Sequence, residues 1–178
     1  MKLNNQQIEQ AAAKTDHRAM LCQPYLDTGP EGDRIVATDG RILAVVPVSP
    51  GADSSPMDDQ GYLSIDALKA GRKAGALECN GTLQVPGGAS FPRSDLGTFP
   101  DYRRIIPKHD SKPDIRLDAE LIIRLAKALC DVKGTKPKLL DLYFAKNDDG
   151  SVDHTTAVYV EPVNSEGFGV IMPCKIKS

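Results

Sequence analysis

The sequence predicts an α+β fold, with helices in one layer and antiparallel sheets in the other, and three observations carry the prediction. Helix-favouring segments recur at 3–14, 64–76 and 118–132. Apolar runs of strand length accompany each of them. Turn-forming residues separate the runs, at Asp39-Gly40, Asn80-Gly81, Asn147-Asp148-Asp149-Gly150 and Asn164-Ser165-Glu166-Gly167. Together these read as three strand-helix-strands units of about 50 to 60 residues, without residue-level self-similarity.

Residues 3–14, LNNQQIEQAAAK, are good helix formers and place Ile8, Ala11 and Ala12 on one stripe. Met20 to Leu26 then reads as extended. RIVATDGRILAVV, residues 34–46, is two apolar runs about an Asp-Gly pair, the strongest short-range signal for a two-residue hairpin. Counting outward from that turn opposes Thr38 to Arg41, Ala37 to Ile42, Val36 to Leu43 and Ile35 to Ala44. Val36, Thr38, Arg41 and Leu43 then share one face and Ile35, Ala37, Ile42 and Ala44 the other. Large aliphatics on both faces imply either a hairpin buried inside one domain or a second surface that covers the outer face at least some of the time. In the second unit GYLSI is extended, Ser64 or Asp66 caps a helix through about Ala76, and LECNGTLQV turns at Asn80-Gly81. In the third, DIRL is extended and DAELIIRLAKALCDV is amphipathic, with Leu121, Leu125, Ala128 and Val132 on one face. KLLDLYFAK, TTAVYV and GFGVIMPCKI follow as strands.

Composition excludes several classes. The chain has 178 residues and a formal net charge of −2, so it can bury a core, and any nucleic-acid contact must come from a local basic face. Cys22, Cys79, Cys130 and Cys174 form no CxxC pair, and there is no signal peptide or apolar run long enough to span a membrane. A reducing cytoplasm with free thiols is the expected setting. His17, His109 and His154 lack partners at metal-ligand spacing, and Asp148-Asp149-Gly150 lacks the spaced acids of a calcium loop. Pro86-Gly87-Gly88 reads as a turn and not as a phosphate cradle. No metal, cofactor or enzymatic activity is expected.

Cations recur on the helices. Lys69, Arg72 and Lys73 share one side of the second helix by their i, i+3, i+4 spacing. Lys14 and Arg18 end the first helix, and Arg124 and Lys127 lie on the third. Cations opposite each apolar stripe are what a DNA-facing surface would need, although surface helices commonly carry such residues merely as a solvated face.

Two stretches are more specific. VATDGRILAV (36–45) and FPDYRRIIP (99–107) resemble two signature segments of the bacterial DNA polymerase sliding clamp, the β subunit of DNA polymerase III. GVIMPCKI (169–176) resembles that clamp's last strand and tail. All three occur in clamp order, and segments such as GYLSIDALKAG fit its βαβββ unit. The resemblance implies a DNA clamp, or processivity, fold of about three such units. Residues 1–108 look like the clamp's middle domain, and residues 109–178 like the second half of its last domain. A family chain has three domains of two units each, so the resemblance leaves the first domain and the intervening half-domain without a counterpart in these 178 residues. Family rings contain twelve units, which four chains of three would supply as a tetramer.

In the family, polymerase and repair proteins insert a short motif, with a glutamine and hydrophobic residues, into an apolar groove between the middle and last domains. Carried over position by position, one wall is Thr38, Gly40, Arg41, Ile42 and Leu43 with Pro100, Arg104 and Ile105. The other is Val170, Met172, Pro173, Cys174, Lys175 and Ile176. The family commonly has His-Arg where this chain has Arg41-Ile42, and often methionine and arginine where Cys174 and Lys175 stand. The resemblance implies a non-enzymatic, cytoplasmic replication protein, of phage or prophage size, that binds clamp-binding peptides and encircles double-stranded DNA as a homo-oligomer. The alternative is an adaptor or decoy that keeps the groove and forms no ring.

Overall fold

The computed structural model describes residues 1–3, 6–29, 32–48, 60–107, 113–130, 139–163 and 167–175. It divides the chain into two compact units, Met1–Ile106 and Pro107–Ser178. Among the described residues no helix is long and apolar enough to cross a membrane.

In the first unit a four-stranded antiparallel sheet has the order β3-β2-β1-β4, from Leu43–Pro47, Gly32–Thr38, Tyr25–Gly29 and Gly61–Tyr62. A three-stranded sheet follows as β5-β6-β7, from Glu78–Asn80, Thr82–Gln84 and Ser90–Pro92. Helix α1 spans Ile65–Ala74. The cap is Ser64, whose hydroxyl oxygen accepts from the Ala67 amide at 3.0 Å, and the helix ends at Gly75, which supplies the left-handed φ of 78°. At Gly71 a Cβ would meet the Ala76 carbonyl oxygen at 3.0 Å and Leu77 Cβ at 3.1 Å, so glycine there lets the helix lie against the following segment. Leu26, Ile35, Ala37, Leu63, Leu68, Leu77 and Leu83 join both sheets and α1 in one buried core.

The expected first helix does not form. Of 3–14, only Ile8–Ala11 winds, as a single 3-10 turn without a side-chain cap; residues 4 and 5 lie outside the described ones. Tertiary hydrogen bonds outcompete a short uncapped helix, whose nucleation is costly. Lys2 forms a β-bridge with Ala76, and the Met1 and Leu3 nitrogens donate to the Leu77 and Gly75 carbonyls. The apolar stripe itself is kept, with Ile8, Ala11 and Ala12 all buried. Met20 to Leu26 is extended only in part, because Ala19–Leu21 forms a second 3-10 turn before β1.

The second unit has helix α2, Ala119–Leu129, and a sheet of order β10-β9-β8 from Gly169–Ile171, Val158–Pro162 and Leu140–Tyr143. The cap is Asp118, which accepts from the Glu120 amide at 2.8 Å. Val158, Val160 and Ile171 are the buried core, with Leu125, Leu129, Leu140, Ile115 and Leu117 packed against them. The helix docks through Leu125 and Leu129, both of which lie over Gly169 where a larger residue would stand. The seated face is therefore rotated from the expected stripe: Leu121 and Ala128 are exposed, and Val132 lies outside the described residues. DIRL is irregular and forms no strand. His109 and residues 164–166 also lie outside the described residues.

Candidate functional site

The hairpin of the first unit turns at Asp39-Gly40, but its loop is longer than two residues. Thr38 pairs with Leu43, Ala37 with Ala44, Val36 with Val45 and Ile35 with Val46. The register counted from a two-residue turn is thus displaced by two positions. A type I′ turn needs positive φ at both central residues, and only Gly40 adopts it, at 85°. Asp39 instead uses its carboxylate, which accepts from the Arg41 and Ile42 amides at 2.8 and 2.9 Å. These bonds, Ile42's first, hold the Asp39 carboxyl below its ordinary range. Thr38 closes the loop by donating its hydroxyl to the Ile42 carbonyl at 2.6 Å.

A shift of two preserves the faces, because side chains alternate with period two. Ile35, Ala37, Ala44 and Val46 turn to the core. Val36, Thr38, Leu43 and Val45 lie on the other face. Ile42, expected on the inner face, sits in the loop and is 54% exposed. Arg41 and Gly40 are exposed beside it. Arg18 lies against this loop, its Nη2 3.2 Å from where a Gly40 Cβ would be, and it is held there by Asp16 through contacts of 3.0 and 3.1 Å.

The outer face is covered in part by the chain itself, through FPDYRR. Tyr25 and Asp27 of β1 point to that face, since Tyr25 pairs with Val36 and Asp27 with Arg34. Phe99 stacks on Tyr25 with centroids 4.9 Å apart, and the Tyr62 hydroxyl donates to the Gly97 carbonyl at 3.0 Å. Buried Asp27 accepts from the Tyr102 hydroxyl and from the Arg103 guanidinium, both at 2.5 Å. Burial, and then the bond to Asp27, pushes the Tyr102 phenol up. Gly29 leaves room for Arg103, which lies 2.8 Å from where a Cβ would stand. Tyr102 and Arg103 are thus anchors, and they present Pro100, Arg104 and Ile105 outward. Ile105 is 69% exposed, and Arg104 pairs with Asp101 at 3.0 Å. Asp27 was missed in the sequence; its signal is a lone acid within the short strand YLDTG.

The residues predicted for the second wall belong to the other unit. Strand β10 buries Ile171 and exposes Val170, and Met172 beyond it is also exposed. Pro173 and Cys174 are half-buried, and the Cys174 amide donates to the Arg116 carbonyl at 2.8 Å. Lys175 is exposed and Ile176 lies outside the described residues. Tyr159 pairs with Val170 across the sheet and stacks on Phe168 at 5.3 Å, while Tyr143 sits 5.9 Å from Tyr159. These three rings extend the exposed face, and the sequence reading did not include them, because only register reveals that they adjoin Val170.

The cations divide by their partners. Lys14, Lys69 and Lys73 are exposed in the first unit, and Arg124 and Lys127 on α2 in the second. Arg72 is engaged: its guanidinium binds buried Glu9, and only 17% of its side chain is exposed. Arg18 is engaged by Asp16.

Comparison with solved structures bears on the whole chain. It matches the C. crescentus β sliding clamp with a TM-score of 0.65 at 21% identity, over 94% of this chain and 46% of that one. The Bacillus subtilis DNA polymerase sliding clamp matches at 0.63 and 15% identity, over 94% and 45%. The Helicobacter pylori β clamp bound to a DNA ligase peptide matches at 0.64 and 18% identity, over 95% and 46%. The chain spans less than half the length of these clamps. No protein-family model and no curated protein sequence matches it. With antiparallel sheets, a helix in each unit and these structural matches, the chain has the α+β fold of the bacterial DNA polymerase β sliding clamp.

Proposed function

We propose that this chain is a sliding-clamp-type replication protein, without enzymatic activity and cytoplasmic, that binds short peptides carrying a glutamine and hydrophobic residues. The two exposed walls described above would both contact the peptide. The observation that carries this reading is the alternation at the last strand, where Ile171 fills the core while Val170 and Met172 remain 59% and 58% exposed. Exposed aliphatics and methionine in a row suit an adaptable peptide site. The DNA ligase peptide bound by the H. pylori clamp supports the same partner class.

In this reading residues 1–108 correspond to a clamp's middle domain and residues 109–178 to the second half of its last domain. A ring would then form from several copies, and four would supply the twelve units of a family ring. Solution mass with and without circular double-stranded DNA tests this. A tetramer retained on closed circles in a salt-sensitive way is expected, whereas a monomer that binds the peptide and ignores DNA would establish the adaptor instead. Within the ring, Lys69 and Lys73 would face phosphate. Replacing both by alanine should lower the slope of log affinity against log salt by about 2 for each chain whose α1 contacts DNA. An unchanged slope removes α1 from the DNA surface. Arg72 is left in place in that experiment because it holds Glu9.

A further inference from the structure

The exposed face of the second unit's sheet has a charge pattern that the clamp reading does not use. Val170, Tyr159 and Tyr143 form one row across the three strands. In the next row Glu161 and Asp141 stand directly opposite each other, on the same face as the two tyrosines. Like charges directly opposite in a sheet destabilise it. Glu161 accepts from the Tyr159 hydroxyl at 2.9 Å, and among the described residues no cation forms an ion pair with either carboxylate. The fold therefore keeps a repulsive acidic pair beside an exposed aromatic strip, where Tyr143 is 51% and Phe168 is 63% exposed.

Building on the peptide-binding reading above, we propose that this face selects peptides in which a lysine or arginine flanks the hydrophobic anchor, the cation resting on Asp141 and Glu161. The anchor occupies Val170, Met172 and Tyr159, and the rows are about 7 Å apart, two strand residues. A basic residue one to three positions from the anchor spans that distance. An ammonium or guanidinium there relieves the carboxylate repulsion and also meets the faces of Tyr143 and Tyr159, a favourable arrangement for a cation. The same carboxylates repel a phosphate backbone, so the strip is not a platform for stacking nucleic-acid bases.

Fluorescent peptides test this, each bearing a glutamine and a leucine-phenylalanine pair, flanked at either end by lysines, serines or glutamates. At low salt the better lysine-flanked peptide should bind about 10-fold more tightly than its serine counterpart, and added salt should erode the advantage. In the double variant Asp141→Asn with Glu161→Gln, the ratio of lysine to serine affinities should fall to near one. Equal binding of lysine, serine and glutamate peptides by the native chain overturns the charge preference and leaves the peptide site standing. Failure of every peptide to bind overturns the site itself, and the preference with it. A lysine advantage that persists in the double variant places the recognition elsewhere and overturns the assignment to Asp141 and Glu161.

Discussion

Replacing Asp27 by alanine should destabilise the first unit by about 3 kcal/mol. The carboxylate is buried in the middle of β1 and receives two charge-assisted hydrogen bonds from residues far away in sequence, Tyr102 and Arg103. Its removal leaves the Tyr102 hydroxyl, in a residue only 4% exposed, without its acceptor. Arg103 is nearly half exposed and recovers water, so most of the cost falls on Tyr102. Asp27→Asn keeps an oxygen to accept from Tyr102 and should lose less, about 1 kcal/mol. Urea denaturation of the two variants checks the order. Asp27→Ala as stable as the native chain would mean that FPDYRR is held by its aromatic stacking alone. If the proposed peptide site is right, the variant should also weaken peptide binding, because Pro100, Arg104 and Ile105 are presented by the turn that Asp27 fastens.

Changing Leu43 or Met172 to aspartate should weaken peptide binding at least about 100-fold, or roughly 2.7 kcal/mol. Each change puts an unpaired carboxylate where a bound peptide would exclude water. Leu43 lies on the outward face of β3 opposite Thr38, and Met172 follows the exposed Val170. Neither belongs to a buried core, so the circular dichroism spectrum should stay native while affinity falls. The pair also separates the two walls. If Leu43→Asp abolishes binding and Met172→Asp leaves it intact, the last strand is not a wall of the site. Unchanged affinity in both would remove the assignment altogether.

The legible part of the predicted first wall was the face that Thr38 and Leu43 occupy, while Arg41 and Ile42 were assigned faces and lie in the loop instead. Thr38 and Leu43 share a face in the sequence reading and in the structure, because an error of two positions in register cannot change the face. The loop itself was misread because Asp-Gly signals a tight turn only if aspartate accepts a left-handed backbone, and here its side chain caps the amides of Arg41 and Ile42. Whether the basic faces meet DNA was equally open, since a sequence shows that Arg72 is a cation but not that Glu9 already holds it. Tyr143, Tyr159 and Phe168 were unreadable as one strip, since three separate segments contribute them.

By itself the sequence determined what depends on near neighbours. Period and turn chemistry placed the strands about Asp39-Gly40 and Asn80-Gly81, Ser64 or Asp66 was the cap expected for the helix that Ser64 caps, and three short segments pointed to a clamp. Tertiary structure decided what depends on partners far along the chain. It unwound the expected first helix, because Lys2 gained a β-bridge to Ala76 that a short uncapped helix could not match. It also joined Asp27 to Tyr102 across 75 residues and set Asp141 against Glu161. The physical reason is the same throughout: local propensity is worth tenths of a kcal/mol to about 1 kcal/mol per residue, and a buried hydrogen bond or a sheet pairing outweighs it.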